Sequence, residues 1–401
     1  MILRNVEVGG EIADVTVDDG RDDEIDGAGG ALIPGLHDHH VHLNAMAAAA
    51  QSVTVADLAR TDRLLPPGEW LRAVGYHESV DGPLDRAALD RIVPTRPVRV
   101  QHASGAMWVI NSAGLAALGI DVDDGRLYGA DAWLRSRLAG ELPDLTRVSD
   151  ELAGFGVTGV TDATPGLTSI GPVSQRVRLL GDGKIVVADH DPPPIDELAD
   201  RIRSARPGPV AFHCASRLGL VLALAAVEIA GARRGDRIEH GAVMPDDARA
   251  TIRALGITVV TQPGFVHERG DRYLADVDVD DQPHLWRCGS LLRDGIRVAG
   301  SSDAPYGSAD PWRAMRAAAT RRTASGAPIG LAERVTPQQA LDLFLSPLDD
   351  PGGRPRRIEV GAVDVCLLRV PLATALADPD AVHVRMTVQG VVTGCTVVVR
   401  N

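Results

Sequence analysis

Apolar and polar positions alternate in short runs at both ends of the chain and give way to longer periodic stretches in the middle. Residues 1–30 read as short strands (MILRNVEV, ADVTV) separated by glycine and aspartate clusters. Residues 357–401 have the same texture, with runs at 358–360, 363–368, 382–388 and 391–399. Neither end has enough residues for a stable sheet of its own, so pairing the two into one small β-structure resolves both. Between them, over about residues 31–347, strand-like runs alternate with helical stretches such as 218–229 and 245–255, the pattern of a parallel α/β fold. Nine runs qualify as strands: 31–43, 70–76, 97–103, 157–163, 184–190, 209–215, 236–242, 257–263 and 296–304. A (β/α)8 barrel needs eight, which makes one run between 70 and 163 extra.

Charge narrows the function classes. The 401 residues include 41 basic and 54 acidic side chains, a net charge of −13. That balance argues against nucleic acid or an anionic membrane as the main partner. The opening MILRNVEVGGEIADV turns polar too soon for a signal peptide, and the longest uncharged apolar run, 218–227, is too short to span a bilayer. The cytosol is the expected compartment. Cys214, Cys288, Cys366 and Cys395 lie far apart with no CxxC spacing, suggesting neither a disulfide framework nor a thiolate zinc site. Of the basic residues only Lys184 is a lysine; all the others are arginine. Where a drift toward arginine has replaced every other lysine, the survivor is either chance or a position that needs a primary amine, because a guanidinium stays protonated.

Four of the twelve histidines crowd into LHDHHVHL as His37, His39, His40 and His42. On a strand His40 and His42 share a face with Asp38, while His37, His39 and Val41 face the other way. Two imidazoles two residues apart can reach one cation. His213 ends PVAFH, His240 ends RIEH, Asp303 ends IRVAGSSD, and Lys184 opens KIVVAD. Most sit at the carboxyl ends of their strands, where barrel active sites are built. Taken singly, His213 or His240 reads equally well as a satisfied core histidine, and Asp303 as a helix cap. Together they are six metal-competent residues in strand order.

These segments resemble the metal-dependent amidohydrolase superfamily. PGLHDHHVHL is similar to its first-strand HxH motif (His40, His42), KIVV to the fourth-strand segment with a carbamylated lysine (Lys184), AFH and RIEH to the fifth- and sixth-strand histidines (His213, His240), and GSSDAP to the eighth-strand aspartate (Asp303). GYHES, NSAGLAALGI, RIEHGAVMPDD, TQPGF and SSDAPYGSADPW resemble the family-3 branch that includes N-substituted formamide deformylases; Ala106 stands where that branch usually has a histidine. The resemblance implies a distorted (β/α)8 TIM barrel over residues 31–347 and a composite β-sandwich domain from 1–30 and 348–401. It implies two divalent ions, zinc expected, bridged by carbamylated Lys184, with a single ion as the simpler variant. The activity implied is cleavage of a non-peptide C–N (amide) bond of a small molecule by a metal-held hydroxide, with Asp303 as proton shuttle and His77 or Glu78 next in line. A lactonase or other ester hydrolase would use the same site. A deaminase would carry a glutamate three residues after the fifth-strand histidine, where this chain has Ser216. A non-catalytic relative would have lost ligands, and none is missing. Trp108, Tyr306 and Arg287 are the expected substrate contacts, with Tyr76, Tyr273, Trp286, Trp312 and Arg272 also near the motifs. A homodimer is left open.

Overall fold

The structure, a computed structural model, describes all residues except 19–21, 65–67, 139–142, 188–191, 360–363, 392–393 and 400–401. Residues 188–190 of the expected fourth-strand run therefore lie outside the described residues, as do Val360 and Val363 of the carboxyl-terminal runs. The chain divides into two compact units, one formed by residues 1–43 with 145–401 and the other by residues 44–144.

Among the described residues the larger unit holds two all-parallel sheets, one of three strands and one of five. In the first, Val157–Pro165 lies between Arg176–Gly181 and Leu36–Val41. In the second, Lys184–Val186, Ala211–Cys214, Arg237–His240, Thr258–Thr261 and Val298–Gly300 follow one another in chain order. Helices intervene between successive strands of the second sheet, whereas Val157–Pro165 runs on to its parallel neighbour Arg176–Gly181 through a connection without one. Arg217–Ala230 begins where the Ser216 side chain accepts the Gly219 N–H, and buries Leu220, Ala223, Leu224 and Val227, one stripe of a 3.6-residue period. Asp246–Leu255 places Asp246 and Asp247 in its first turn, buries Ala248 and Ile252, and stops at Gly256 in the left-handed conformation. The site strands read as apolar runs because they are buried on both faces; all four residues of Arg237–His240 and of Thr258–Thr261 are buried.

The chain ends meet. Ile2–Val8 pairs with Glu11–Thr16 and Glu24–Asp26, while Leu32–Pro34, Val365–Leu368, Val384–Val391 and Gly394–Val399 form an antiparallel sheet. Leu3, Val6 and Val17 share one apolar core with Leu32, Val365, Leu367, Met386 and Val388.

The strand inventory differs from the sequence expectation; the run 31–43 splits into Leu32–Pro34, in the antiparallel end sheet, and Leu36–Val41, in the parallel one. The runs at 70–76 and 97–103 belong to the 44–144 unit, where Leu71–Tyr76 and Val98–His102 form a mixed sheet with Met107–Ile110 and Arg126–Tyr128. An apolar run of that length reads the same in either sheet, since periodicity does not report the partner. Arg176–Gly181 is a strand that the sequence reading omits. Its side chains are mostly half-buried and alternate with arginine, so no continuous apolar run marks it.

The burial of His37 leads to an expected acid sensitivity of the fold. His37 is 5% exposed and its Nδ1 lies 2.9 Å from the Ser346 carbonyl oxygen. Burial, reinforced by the Arg356 guanidinium, pushes its pKa down to about 3, whereas the unfolded chain would titrate it near 6.5. Between those values the unfolded state binds the extra proton, so stability falls as pH is lowered from 6.5 toward 3. The melting temperature should drop over that window, and less steeply in His37→Gln, which takes no proton. Equal slopes in the two proteins would remove His37 as a cause.

Candidate metal centre

The alternation of Leu36–Val41 separates its histidines by role. On one face His37 meets the Ser346 carbonyl and His39 Nε2 lies 2.9 Å from Ser346 Oγ, tying the strand to the segment that follows the helix Pro337–Asp342. On the other face the Asp38 carboxylate accepts the backbone N–H groups of His40 (3.1 Å) and Ser302 (3.1 Å). Burial, only partly offset by these hydrogen bonds, raises the Asp38 pKa to about 7.

The six residues expected to bind metal come together here. His40 Nε2 is 3.4 Å from Asp303 Oδ1 and 3.4 Å from Lys184 Nζ, and His42 Nε2 is 3.4 Å from Asp303 Oδ1. His240 Nε2 is 3.0 Å from His213 Nδ1, and the His40 and His240 ring centroids are 4.9 Å apart. Two of the backbones are in the left-handed region, at φ +70° for His240 and +56° for Asp303. That conformation costs non-glycine residues about 1–3 kcal/mol and persists only where neighbours enforce it. For Asp303 the restraint is visible: its N–H donates to the His40 carbonyl at 2.9 Å, and the His42 N–H donates to the Ala304 carbonyl at 2.9 Å.

The hydrogen bonds set the tautomers. His40 Nδ1 contacts the Glu239 carboxylate, which also receives the Arg237 Nε and Nη2 groups. Burial opposes the charge on Glu239, but Arg237 and His40 outweigh it and hold the carboxyl below the usual range. His40 therefore donates through Nδ1 and keeps a lone pair on Nε2. His240 Nδ1 lies 2.9 Å from Gln262 Oε1, and the orientation of that amide is set by its Nε2 donating to Ser301 Oγ at 2.8 Å. His42 Nδ1 lies 3.0 Å from Thr164 Oγ1. Three imidazoles thus turn Nε2 toward the cluster, the arrangement that carboxylate, amide or hydroxyl partners impose on metal-binding histidines. Burial holds His40 and His240 down at about 4 and His213 at about 3, so all three are neutral at neutral pH. Asp303, although buried, is kept a carboxylate by His42, His240 and His40. Burial also lowers the pKa of Lys184, against the pull of Asp303, Glu239 and Asp162.

This donor set suits a divalent transition metal. Ligand atoms of His40, His42 and Asp303 all lie within 4.8 Å of one another. Imidazole nitrogen with carboxylate oxygen is the chemistry of zinc, manganese, iron or cobalt rather than calcium. A second group of histidine and carboxylate, His77, Glu78 and His102 in the 44–144 unit, has the opposite polarity. There the Ser79 and Ser104 backbone N–H groups donate to Nδ1 of His77 and His102, which puts the ring proton on Nε2. His102 Nε2 then donates to Glu78 at 3.1 Å.

The residues expected to contact substrate have these surroundings. Tyr306 is half-buried with its ring centroid 5.6 Å from that of His42. Arg287 is buried, donating to Asp246 at 2.5 Å with Nε 3.4 Å from Glu333, so its charge is already matched. Trp108 packs in a core of the 44–144 unit, with Arg72 and Arg99 each 5.4 Å from its ring and Nε1 donating to Asp131 at 3.1 Å. Tyr76 and Trp312 are fully buried, the latter donating to the Phe155 carbonyl at 3.0 Å, and Trp286 packs against Phe265. Sequence reasoning missed Glu239, Arg237, Gln262 and Thr164. The signal available was a charged pair, Arg237 and Glu239, inside a run flanked by apolar strands, where an unpaired charge would be prohibitive.

The family profile described as "Amidohydrolase family" matches residues 23–344. The N-substituted formamide deformylase of Arthrobacter pascens is 24% identical to this chain over 430 aligned positions, which cover 80% of this chain and 79% of that protein. An uncharacterized metal-dependent hydrolase from Pyrococcus furiosus has a TM-score of 0.65 at 18% identity, covering 95% of this chain and 99% of its own. Its counterpart from Pyrococcus horikoshii OT3 has a TM-score of 0.64 at 18% identity, with 95% and 98% covered. At that identity the two structures speak to the fold, a TIM-barrel-like arrangement of mixed α/β content.

Two variants check the assignment. His40→Ala with His42→Ala should abolish metal retention by the purified protein while its circular dichroism stays native; full metal content would exclude these ligands. Glu239→Gln should weaken metal affinity by about 10–100-fold, measured by competition with a chelator, because the partner that orients His40 loses its charge.

Proposed function

From the membership of this chain in the amidohydrolase family, we propose that it is a metal-dependent hydrolase that cleaves the non-peptide C–N (amide) bond of a small molecule. The observation that carries the reading is the convergence of inward-facing imidazole Nε2 atoms with a carboxylate and the chain's single lysine. His40 and His42 would hold one ion and His213 and His240 a second, with carbamylated Lys184 between them and Asp303 touching the site. With one ion, Lys184 would remain an amine. Zinc is the expected metal. A divalent ion in such a site lowers the pKa of water and polarises a carbonyl oxygen.

The chain's own groups account for the rest. Asp303 would accept a proton as the nucleophile attacks and return it to the leaving nitrogen, without which an amine leaves poorly; its contacts with His40 and His42 support that role. Gln262 and Glu239 keep His240 and His40 in the tautomers the site needs. The Tyr306 ring beside His42 offers an apolar wall to the substrate. The Arthrobacter relative named for formamide deformylation supports C–N cleavage, and small amides are the substrate class. Deamination is disfavoured because Ser216, at the position where a deaminase needs glutamate, is occupied in capping the helix Arg217–Ala230.

The same reading extends to the architecture. We take the two parallel sheets as one distorted (β/α)8 barrel, supported by the backbone hydrogen bonds that link His40 and His42 to Asp303 and Ala304. The end sheets, with their common core, support a composite β-sandwich domain of residues 1–30 and 348–401, to which Leu32–Pro34 adds a strand. A cytoplasmic location is consistent with the absence, among the described residues, of any helix long and apolar enough to cross a membrane.

A hydrolysis screen of N-formyl, N-acetyl and cyclic amides beside lactones, using metal-reconstituted protein, tests the substrate class; turnover of lactones alone would overturn amide cleavage. Asp303→Asn should lower kcat on the best amide by about 10²–10⁴-fold with little change in melting temperature. Near-normal kcat would move the shuttle elsewhere. If Lys184 is carbamylated, metal-stripped protein should regain activity slowly in carbon-dioxide-free buffer and faster with bicarbonate, while indifference to bicarbonate would argue for the free amine.

A further inference from the structure

At the amino ends of the parallel strands, away from the histidines, lies a cavity of about 280 Å³. Pro209, Gly235 and Arg297 precede their strands, and Arg237 and Thr258 open theirs. His240 is at the other end of the strand that Arg237 begins. Arg178, Arg234, Arg237 and Arg297 line the cavity with Asp349 and Asp350. Counting Glu239, which pairs with Arg237, four guanidiniums face three carboxylates, leaving one positive charge unmatched.

The existing bonds leave part of this lining unused. Arg297 contacts Asp350 through Nη2 and donates to the Pro351 carbonyl at 3.0 Å, while Arg178 Nη1 donates to the Leu348 carbonyl at 2.7 Å. Arg234 is 84% exposed, with Nη2 3.6 Å from Asp350, and stands at the rim. Arg237 is 3% exposed. Its Nε and Nη2 serve Glu239 and the His39 carbonyl, but its Nη1 is buried with no hydrogen-bond partner among the described residues. The Nε of Arg297 is in the same condition. A buried N–H without an acceptor costs about 1–3 kcal/mol, more when charged. Two such groups in the lining of one cavity with surplus positive charge mark a place for an acceptor-rich anion.

We propose that this cavity binds a tetrahedral oxyanion, phosphate or sulfate, free or as a small monoester. Arginine forks match such oxygens and satisfy their N–H groups in parallel. The volume accommodates the oxyanion and a short organic substituent. The site is also joined to the metal cluster. Arg237 holds Glu239, and Glu239 holds Nδ1 of His40, so an anion on Nη1 shares the guanidinium that orients a metal ligand. That link rests on the function proposed above; anion binding does not. The plain alternative is a cavity filled by water, with the arginines serving only to pair Asp350 and the strand ends.

Calorimetric titration of sulfate into the metal-replete protein, with chloride matched for ionic strength, separates the two. One saturable site per chain is expected at millimolar sulfate or below. Arg297→Gln should weaken it by about tenfold or more, since a charge-assisted hydrogen bond is lost. Arg234→Ala, an exposed rim position that leaves the folded core untouched, should weaken it to a lesser degree. Binding of glycerol phosphate with similar affinity would extend the site to monoesters, and exclusion of it would restrict the site to the free ion; either result upholds the oxyanion pocket. No binding at millimolar sulfate, or equal binding by both arginine variants, overturns it. So would loss of sulfate binding in His40→Ala with His42→Ala and its retention in Arg297→Gln, which would place the anion at the metal cluster. If the pocket is upheld and the metal reading fails, sulfate will bind a protein that retains no metal.

Discussion

The carboxylate of Glu239 is fully buried, and its charge survives there only because Arg237 and His40 flank it. Desolvating an ion pair costs several kcal/mol per charge, and the attraction between partners repays it only when every hydrogen-bonding group is placed. Here the Arg237 fork meets the carboxylate in two bonds and sends Nη2 on to the His39 carbonyl at 2.6 Å, which fixes the histidine-bearing strand against Arg237–His240. Removing either charge would strand the other in the interior, at about 3–5 kcal/mol. The placement of the histidine-bearing strand and the orientation of His40 therefore share the Arg237–Glu239 pair. What orients His40 is also what stitches together two strands 199 residues apart in sequence.

A similar dependence runs through the other side of the cluster. His240 and Asp303 occupy left-handed backbone that side chains resist. His240 is the last residue of its strand and Asp303 follows the end of Val298–Gly300, where the backbone leaves the ladder and can turn. His240 is then fixed by a relay in which Gln262 accepts its ring proton and donates to Ser301, and Ser301 donates to the Thr261 carbonyl at 3.2 Å. Such chains polarise one another and specify one rotamer for each member. Rigid strands thus aim the imidazoles, while short strained turns bring Asp303 back over them.

How much of this could be read in advance depends on whether position or partnership carried the information. HDHHVH was legible because a strand has period two, and two histidines on one face with two on the other is a geometric statement. His213, His240 and Asp303 followed from strand endings. Glu239 and Gln262 were not legible in the same way, because each looks like an isolated polar residue until the strand opposite it is known. Residues 44–144 misled for a related reason. Leu71–Tyr76 and Val98–His102 have the composition of core strands, and they are core strands, but of a separate mixed sheet. Arg287 and Trp108 lie beside motif segments in sequence, and their partners, Asp246 and Glu333 for the one and Asp131 for the other, show only in the folded chain.

The arginine bias of the chain sharpens the reading of its one lysine. Buried arginines here act as multi-point donors: Arg321 is fully buried and donates to the carbonyls of Ile329, Trp286 and Leu285 at 3.0, 2.8 and 2.8 Å. A guanidinium serves such a role better than an ammonium because its planar donors spread over several acceptors. Lys184 has a different setting. Its Nζ is buried beside His40 Nε2, a nitrogen whose lone pair is already committed to the cluster by the Nδ1 bond to Glu239. An ammonium there would compete for that lone pair and add charge to a site that must also take a divalent cation. Burial lowers the lysine pKa and so favours the neutral amine, the form that can bond to carbon dioxide. On the proposed reading the product is an anionic oxygen donor, which reverses the sign of the charge at that position. An arginine could satisfy the space but could neither lose its proton nor make that bond, so position 184 is where a uniform drift to arginine would meet a chemical limit.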